Sequence, residues 1–141
     1  MPTTTASISI TNDITSAPIS VSETMTLYKA GSATLGMNTM TSVSKILSSL
    51  NQVDLFEYTA AGGATHNFLY INNPSDNPAE YFRIGMGAAS TNTTPQETEE
   101  IGRLYGGQWM FIPYGAADAA SDVMIQPSVA TEMTIEYMLF N

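Results

Sequence analysis

The chain has 141 residues, of which 43% are hydrophobic and only 12% are charged. A chain of this length is expected to form one domain. Folding then buries roughly 68–70% of the surface that the unfolded chain exposes, so a hydrophobic core can form without disulfides. Thirteen acidic and four basic residues give a net charge of -9. Because the Lys and Arg residues are scattered singly, this composition argues against nucleic acid or an anionic membrane surface as a partner.

Cysteine usage and hydropathy narrow the function further. The chain has no cysteine, which excludes disulfides, thiolate catalysis and cysteine metal sites. No apolar run approaches the ~18 residues that a transmembrane helix needs, and the N-terminus lacks the basic-then-apolar pattern of a secretory signal. We therefore expect no membrane span and no export signal.

The first part of the chain alternates apolar and hydroxyl residues. Ile8 and Ile10 alternate with serine and threonine, which predicts a short strand, and Asn12-Asp13 follows as a turn. The run from Ile19 to Leu27 keeps its apolar residues on one parity, which predicts a half-buried strand. Residues 31–41 are rich in Gly, Thr, Asn and Met and predict a long loop or irregular arm.

The next segment gives the only helical spacing. Residues 43–50 carry apolar side chains three and four apart, with Ser42 as a candidate N-cap, which predicts a short helix. Residues 52–58 follow as a predicted strand, in which Val53 and Leu55 face one side while Asp54 and Phe56 face the other.

The stretch from Asn67 to Gly115 alternates aromatic and β-branched runs with turn residues. It predicts strands over 68–71 and 81–84, separated by a turn in which two prolines deny backbone donors. Gly106-Gly107 lies between two further strand-like runs and predicts a two-residue hairpin turn.

Two strand-like runs close the chain. Residues 122–126 predict a brief strand that ends at Pro127. Residues 131–140 keep four apolar side chains on one parity, which predicts a strand inside a sheet: Met133, Ile135, Tyr137 and Leu139. Short strands at even spacing predict an all-β fold, an antiparallel β-sandwich or jelly-roll-like barrel with at most one short helix. We predict an N-terminal arm over residues 1–16 and a single β-sandwich domain over residues 17–141.

Few residues suggest chemistry. His66 is the only histidine and has no serine or carboxylate near it in a recognised arrangement, so a surface or strand-edge position is preferred to a catalytic or metal-binding one. Two acidic clusters lack the ligand pattern of a calcium loop and are better interpreted as solvated loops: Glu97, Glu99 and Glu100, and Asp118 and Asp122. We therefore predict no catalytic residue, no bound metal and no cofactor.

The largest aromatic group contains Trp109, Phe111 and Tyr114. It is interpreted either as core or as a contact surface, since Trp, Tyr and Met are enriched in interfaces. Met37 and Met40 have the same alternatives, adaptable contacts or gap-fillers. The candidate protein contacts are Ile8, Ile10, Met37, Met40, Trp109 and Tyr114.

Four pieces of the sequence together resemble a known class of proteins. They are Leu69-Tyr-Ile-Asn-Asn-Pro, Tyr81-Phe-Arg-Ile-Gly, Ile101-Gly-Arg-Leu-Tyr-Gly-Gly-Gln-Trp-Met-Phe-Ile-Pro and Val129-Ala-Thr-Glu-Met-Thr-Ile-Glu-Tyr-Met-Leu-Phe. Their order is similar to that in small virion structural proteins of tailed bacteriophages, particularly cyanobacterial and marine phages. In those proteins an Asn-containing hairpin precedes a Gly-containing strand that ends in Pro, and a Glu-Tyr strand ends the chain.

The resemblance implies a non-enzymatic capsid decoration (cement) protein on the exterior of the virion, made in the host cytoplasm. Its partners would be the major capsid protein and other copies of itself, as a trimer, with the arm adding a strand to a neighbour. One alternative is a tail, neck, baseplate or head-fibre component. A more distant alternative is a carbohydrate-binding module or small sandwich hydrolase that displays Trp109 and Tyr114 to a sugar.

Overall fold

The computed structural model of the protein describes six stretches of the chain: residues 3–14, 16–29, 31–56, 67–87, 100–115 and 122–141. These residues form ten β-strands and no helix. The chain divides into two compact units, Met1–Thr39 and Met40–Asn141. The segment predicted as an arm belongs to the first unit.

The first unit contains an antiparallel pair of nine-residue strands, β1 (Thr4–Asn12) and β2 (Ile19–Leu27). Their register is continuous, with Thr4 opposite Leu27. Both strands alternate apolar and hydroxyl residues, so cross-strand neighbours are mostly of the same character. The predicted strand over Ile19–Leu27 is confirmed, and the predicted arm supplies its partner strand. Its predicted half-buried character is wrong, because residues 19–25 are exposed on both faces and only Leu27 is buried.

The second unit contains eight strands, which are β3 (Met40–Leu47), β4 (Val53–Phe56), β5 (Asn67–Asn72), β6 (Tyr81–Met86), β7 (Glu100–Tyr105), β8 (Trp109–Tyr114), β9 (Val123–Pro127) and β10 (Met133–Phe140). They form two antiparallel sheets: the β3 sheet, with the order β3–β10–β5–β8, and the β4 sheet, with the order β4–β9–β6–β7. Except for β6 and β7, consecutive strands lie in different sheets. This is the strand order of a jelly roll, and the predicted all-β sandwich is confirmed.

The two sheets share one hydrophobic core, which takes alternate residues from seven of the eight strands and is flanked by residues of β3. In β10 the predicted inward residues are only 0–7% exposed: Met133, Ile135, Tyr137 and Leu139. The strand lies between β3 and β5, so its predicted place inside a sheet is confirmed.

The predicted helix over residues 43–50 is wrong, because most of this segment belongs to β3. Val43 and Leu47 pack against the core, whereas Ile46 is 65% exposed on the other face. The helical spacing thus arose from an apolar residue on the outer face of a strand. Lys45 lies at an inward position of β3, between Val43 and Leu47, so the sequence of this strand does not show a regular alternation of apolar and polar residues. Its Nζ donates to the backbone carbonyl oxygen of Asp54 at 2.8 Å.

β4 also departs from simple alternation. The sequence predicts Leu55 and Phe56 on opposite faces, but both are buried, so that prediction is wrong for Phe56. The register of β4 against β9 shifts between Asp54 and Phe56, as at a β-bulge, which re-aims the next side chain. The Phe56 ring then lies 5.3 Å from the rings of Tyr114 and Tyr137 in the core.

The hairpin predicted at Gly106-Gly107 is wrong as well. β7 pairs with β6, whereas β8 pairs with β5, so this turn carries the chain from one sheet to the other. Gly107 has a φ of +77°, a conformation that favours glycine, and a Cβ on Gly106 would collide with the backbone carbonyl of Asn77. The two glycines therefore allow the tight turn by which the chain passes from one sheet to the other, which we call the corner of the jelly roll.

Asn73, whose side chain is 0% exposed, fixes this corner. Its Nδ2 donates to the carbonyl oxygen of Leu104 at 3.0 Å, and its Oδ1 accepts from the backbone N–H of Ser75 at 3.2 Å. Its own backbone N–H donates to the carbonyl of Gln108, and its carbonyl accepts from the N–H of Gly107. One side chain thus joins the two segments, β5–β6 and β7–β8, in which the chain changes sheet.

Candidate interaction surfaces

The β1–β2 hairpin has one apolar face. Since the strands pair in continuous register, alternate positions of both strands come to the same side. That side carries five large apolar side chains that are 39–57% exposed: Ile8, Ile10, Ile19, Val21 and Met25. We call these five the hairpin apolar face. The one charged residue on the same side is Glu23, which lies opposite Ile8. Apolar residues grouped on one side of a small sheet differ from the single ones found on any protein surface.

The other face of the hairpin carries only hydroxyl side chains: Thr5, Ser7, Ser9, Thr11, Ser20, Ser22, Thr24 and Thr26. The hydroxyls of Ser7 and Thr24 lie 2.8 Å apart in a cross-strand hydrogen bond. Water satisfies hydroxyl groups well, whereas apolar side chains gain free energy when they leave water. The two faces therefore suit solvent on one side and a partner on the other.

Both outer edges of the hairpin are suited to a further strand. Within the described residues no third strand joins β1 and β2, although the carbonyl of Leu27 at the end of β2 accepts from the N–H of Met37. Neither strand contains a Pro or Lys of the kind that blunts an edge. Residues 1–39 include only Asp13, Glu23 and Lys29 of the chain's 13 acidic and 4 basic residues. The hairpin is thus nearly neutral, and residues 40–141 carry almost all of the negative charge.

A second surface lies on the outer face of the β3 sheet, where alternation places Phe68, Tyr70, Trp109 and Phe111. Trp109 is 52% exposed, and its ring centroid lies 6.1 Å from that of Tyr70 with a tilt of 33° between the rings. Phe68 and Phe111 stack beside them at 5.4 Å. The ring of Phe140 on β10 lies 6.4 Å from that of Phe111, so five aromatic rings are grouped on this face, of which Phe68 is buried.

Polar side chains continue the same face beside Trp109. Asn72 lies opposite Trp109 in the register, and Glu136 lies opposite Asn72 on the next strand. Asn72 Nδ2 donates to Glu136 Oε2 at 3.0 Å. We call Tyr70, Asn72, Trp109 and Glu136 the Trp109 surface, which combines aromatic rings with an amide and a carboxylate.

The six candidate contact residues are distributed between the exterior and the interior. Ile8 and Ile10 lie together on the hairpin apolar face, and Met40 and Trp109 are exposed in the second unit. The interpretation of Trp109 as core is therefore wrong. Met37 and Tyr114 are buried. Trp109 and Tyr114 lie on the same strand at opposite parity, so the structure does not bring them to one surface.

Three members of the Trp109 surface were not among the sequence candidates: Tyr70, Asn72 and Glu136. Their alternation with buried neighbours in β5 and β10 was a signal that they face outward. Their proximity to Trp109 was not available from the sequence, because it depends on the pairing of β5 with both β8 and β10.

Most of the charged side chains that are described have structural roles. Glu100 forms ion pairs with Arg83 at 2.9 Å and Arg103 at 3.1 Å and so joins β6 to β7. Burial lowers the pKa of Lys45, although nearby Asp54 opposes that shift. Burial also raises the pKa of Tyr114 to about 12, and the negative charge of Asp122 adds to it.

The residues considered for metal binding have mixed outcomes. Asp122 is buried, and Glu100 lies on β7 with only 18% of its side chain exposed, so their interpretation as parts of solvated loops is wrong. His66, Glu97, Glu99 and Asp118 lie outside the described residues. No group of three or more His, Cys, Asp or Glu side chains within the described ranges is placed to hold a metal ion. That part of the chain also contains no helix long and apolar enough to cross a membrane.

Within the described residues, the hairpin apolar face and the Trp109 surface each group exposed apolar or aromatic side chains on one side of a sheet. Comparison of the chain with known protein families, curated proteins and solved structures finds no match.

Proposed function

We propose that the protein is a non-enzymatic structural protein of a bacteriophage virion, an external capsid decoration protein that binds the major capsid protein and stabilises the shell. The observation that carries the proposal is the hairpin apolar face, exposed on a nearly neutral pair of strands. A protein with such a face is built to be completed by another protein.

The energetics of the hairpin support an assembly role. A two-stranded hairpin is marginally stable in water and needs a further strand or a packed face. When a partner covers the five apolar side chains, each Å² of apolar surface removed from water contributes a free energy of roughly 25 cal/mol to association. A neighbouring strand can also pair with either edge of the hairpin, which is the mode of β-strand addition. Particle binding thus both uses and stabilises this part of the chain.

Charge supports a position outside the shell. The chain has a net charge of -9, and nearly all of it belongs to residues 40–141. Inside the shell, the phosphates of packaged DNA would repel a protein with this negative charge. On the exterior of the shell the protein lies away from those phosphates. The nearly neutral hairpin is then the part best suited to contact a capsid subunit or another copy of the chain, with a trimer as the favoured oligomer.

Copy number separates this proposal from the alternative of a tail, neck, baseplate or head-fibre component. The experiment is co-sedimentation of the purified protein with virions, followed by quantitative mass spectrometry against the major capsid protein. We expect a ratio close to stoichiometric. A few copies per particle would move the protein to the tail or neck, and no association would overturn the virion proposal.

A double variant tests the hairpin apolar face itself. Ile10 and Val21 are cross-strand neighbours, and Ile10→Thr with Val21→Thr keeps β-branched residues while removing apolar surface. We expect particle binding to fall by at least about tenfold, the equivalent of 1.4 kcal/mol. The matched control is Ser9→Thr with Ser22→Thr on the hydroxyl face, which should leave binding unchanged. Equal binding by both variants would remove the hairpin apolar face from the proposal.

A further inference from the structure

The Trp109 surface has features that the assembly role does not use. Trp109 stands half-exposed beside Tyr70, and the 33° tilt makes the two rings a shallow platform rather than a closed pocket. An aromatic ring offers an apolar face that packs against flat arrays of C–H groups. The surface is therefore shaped for a flat ligand with C–H groups on one side.

Hydrogen-bonding groups lie next to the platform, in a row that crosses the sheet. The register aligns Ser44, Glu136, Asn72 and Trp109 on four neighbouring strands. With strands ~4.8 Å apart, the row spans about 14 Å, the length of a short oligosaccharide. The amide offers donors and an acceptor, and the carboxylate offers several acceptor sites beyond the single hydrogen bond that joins them. Sugar hydroxyls, which both donate and accept, match this set.

Charge and ring geometry select the class of ligand. On the outward positions of β3, β5, β8 and β10 the only charged residue is Glu136, so this face offers no cation to an anionic ligand. A quaternary ammonium ion is bound by rings that surround it, whereas Trp109 and Tyr70 lie side by side on an open sheet. A neutral ligand with C–H faces and hydroxyl edges remains the best match.

We propose that the Trp109 surface binds neutral glycans, with Trp109 and Tyr70 stacking on sugar rings and Asn72 and Glu136 binding sugar hydroxyls. This activity is separate from assembly through the hairpin. A decoration protein with such a surface attaches the particle reversibly to neutral polysaccharide.

The first test uses the intrinsic fluorescence of the 141-residue chain, in which Trp109 is the only tryptophan. The probes are cellohexaose, laminarihexaose and maltohexaose, with a neutral-glycan array to widen the range of linkages. Tetramethylammonium chloride serves as the cationic probe and a chondroitin sulfate hexasaccharide as the anionic one. We expect saturable fluorescence changes with at least one neutral glycan and none with the two charged probes.

Calorimetric titration of variants then locates the site. Trp109→Ala should weaken glycan binding by at least about tenfold, as for truncation of a central aromatic contact. Glu136→Gln keeps the shape and an acceptor and should weaken glycan binding only a few-fold, whereas it would abolish binding of a cation. The matched control is Ile46→Ala, which removes an exposed side chain from the same sheet face on the opposite edge strand.

The outcomes separate this proposal from a protein-contact role for the same surface. Binding of neutral glycans that is lost in Trp109→Ala and kept in Ile46→Ala supports it, whatever the result of the virion experiments. Absence of binding across the array, or binding unaffected by Trp109→Ala, overturns it. Loss of particle binding in Trp109→Ala without any glycan binding overturns it also, and would make the Trp109 surface a contact with capsid protein.

Discussion

β2 and β10 have similar patterns in sequence and opposite surroundings in the structure. Both place four apolar residues on one parity; in β2 Glu23 interrupts that parity, and in β10 the other parity contains two polar and two apolar residues. In β10 the four apolar side chains of that parity are at most 7% exposed, whereas three of those in β2 are at least 39% exposed: Ile19, Val21 and Met25. An alternating pattern therefore states that a strand has an apolar face, but not that the same chain covers it.

The physical reason lies in the partners of each strand. β10 has a neighbour on both edges and a second sheet across its apolar face, so every inward side chain is removed from water. The five residues of the hairpin apolar face stay exposed in the free chain. The proposed assembly role rests on this uncovered face.

The largest effect expected from this comparison is on stability. Ile135→Ala in β10 leaves a cavity in a fully buried layer and should lower the free energy of unfolding by about 4 kcal/mol. Ile10→Ala in the hairpin should cost less than about 1 kcal/mol in the free protein, because its side chain is already exposed. Urea unfolding of both variants measures the difference. Equal losses would mean that the hairpin apolar face is covered in the free chain.

The corner of the jelly roll gives the next effect. Gly106→Ala forces a Cβ against the backbone of Asn77 and should lower the free energy of unfolding by about 3 kcal/mol. Gly102→Ala is the matched control: its Cβ would meet open space, and the restricted unfolded chain makes the change neutral or slightly stabilising. Thermal melts of the two variants should therefore shift in different directions or by clearly different amounts, and equal shifts would contradict the tight corner.

Removal of the asparagine at that corner should have a somewhat smaller effect. Asn73→Ala leaves the buried carbonyl of Leu104 without its side-chain donor and should cost about 2–3 kcal/mol. Asn73→Asp has the same shape but places a carboxylate against that carbonyl, so it should be less stable than the alanine variant at neutral pH and should recover as the carboxylate is protonated. Chemical unfolding at pH 7 and pH 4 would show the reversal. An aspartate variant as stable as the parent protein at pH 7 would contradict this account.

The smallest expected effect is at alkaline pH. Burial raises the pKa of Tyr114 from 10.0 to about 12, so the folded protein holds the phenolic proton more tightly than the unfolded chain does. The resulting stabilisation is complete below pH 10 and is lost as pH rises towards 12, with a total loss of about 2 kcal/mol. Across this range the free energy of unfolding of the parent should fall relative to that of Tyr114→Phe, which has no proton to lose at this position. A constant difference between them would contradict the assignment of the shift to Tyr114.

The elements predicted well are those whose pattern and environment agree. β5, β6, β9 and β10 were predicted because their buried residues, apart from Gln126 in β9, are apolar and their ends are marked by Pro, Asn or Gly. β3 was not, because an inward lysine and an outward isoleucine reversed the expected character of two positions. The position of the Gly106-Gly107 turn was predicted correctly, but the pairing of β7 with β8 was not, since a glycine pair suits a turn between two sheets as well as a hairpin.

The candidate surfaces divide in the same way. Alternation alone placed Ile8 and Ile10 on one side of a strand, and they lie on the hairpin apolar face. The group of Tyr70, Asn72, Trp109 and Glu136 comes from three strands that are far apart in the chain. Long-range strand pairing has no local signal in one sequence, so this group required the structure.

The sequence by itself determined that the chain is all-β, where most strands lie, and which face of the strands is apolar, because a period of two and turn residues are local properties. Only the tertiary structure decided which strands pair, which apolar faces are covered and which side chains meet on the surface. These depend on contacts between residues far apart in the chain, whose free energy comes from burial in a shared core rather than from local preference.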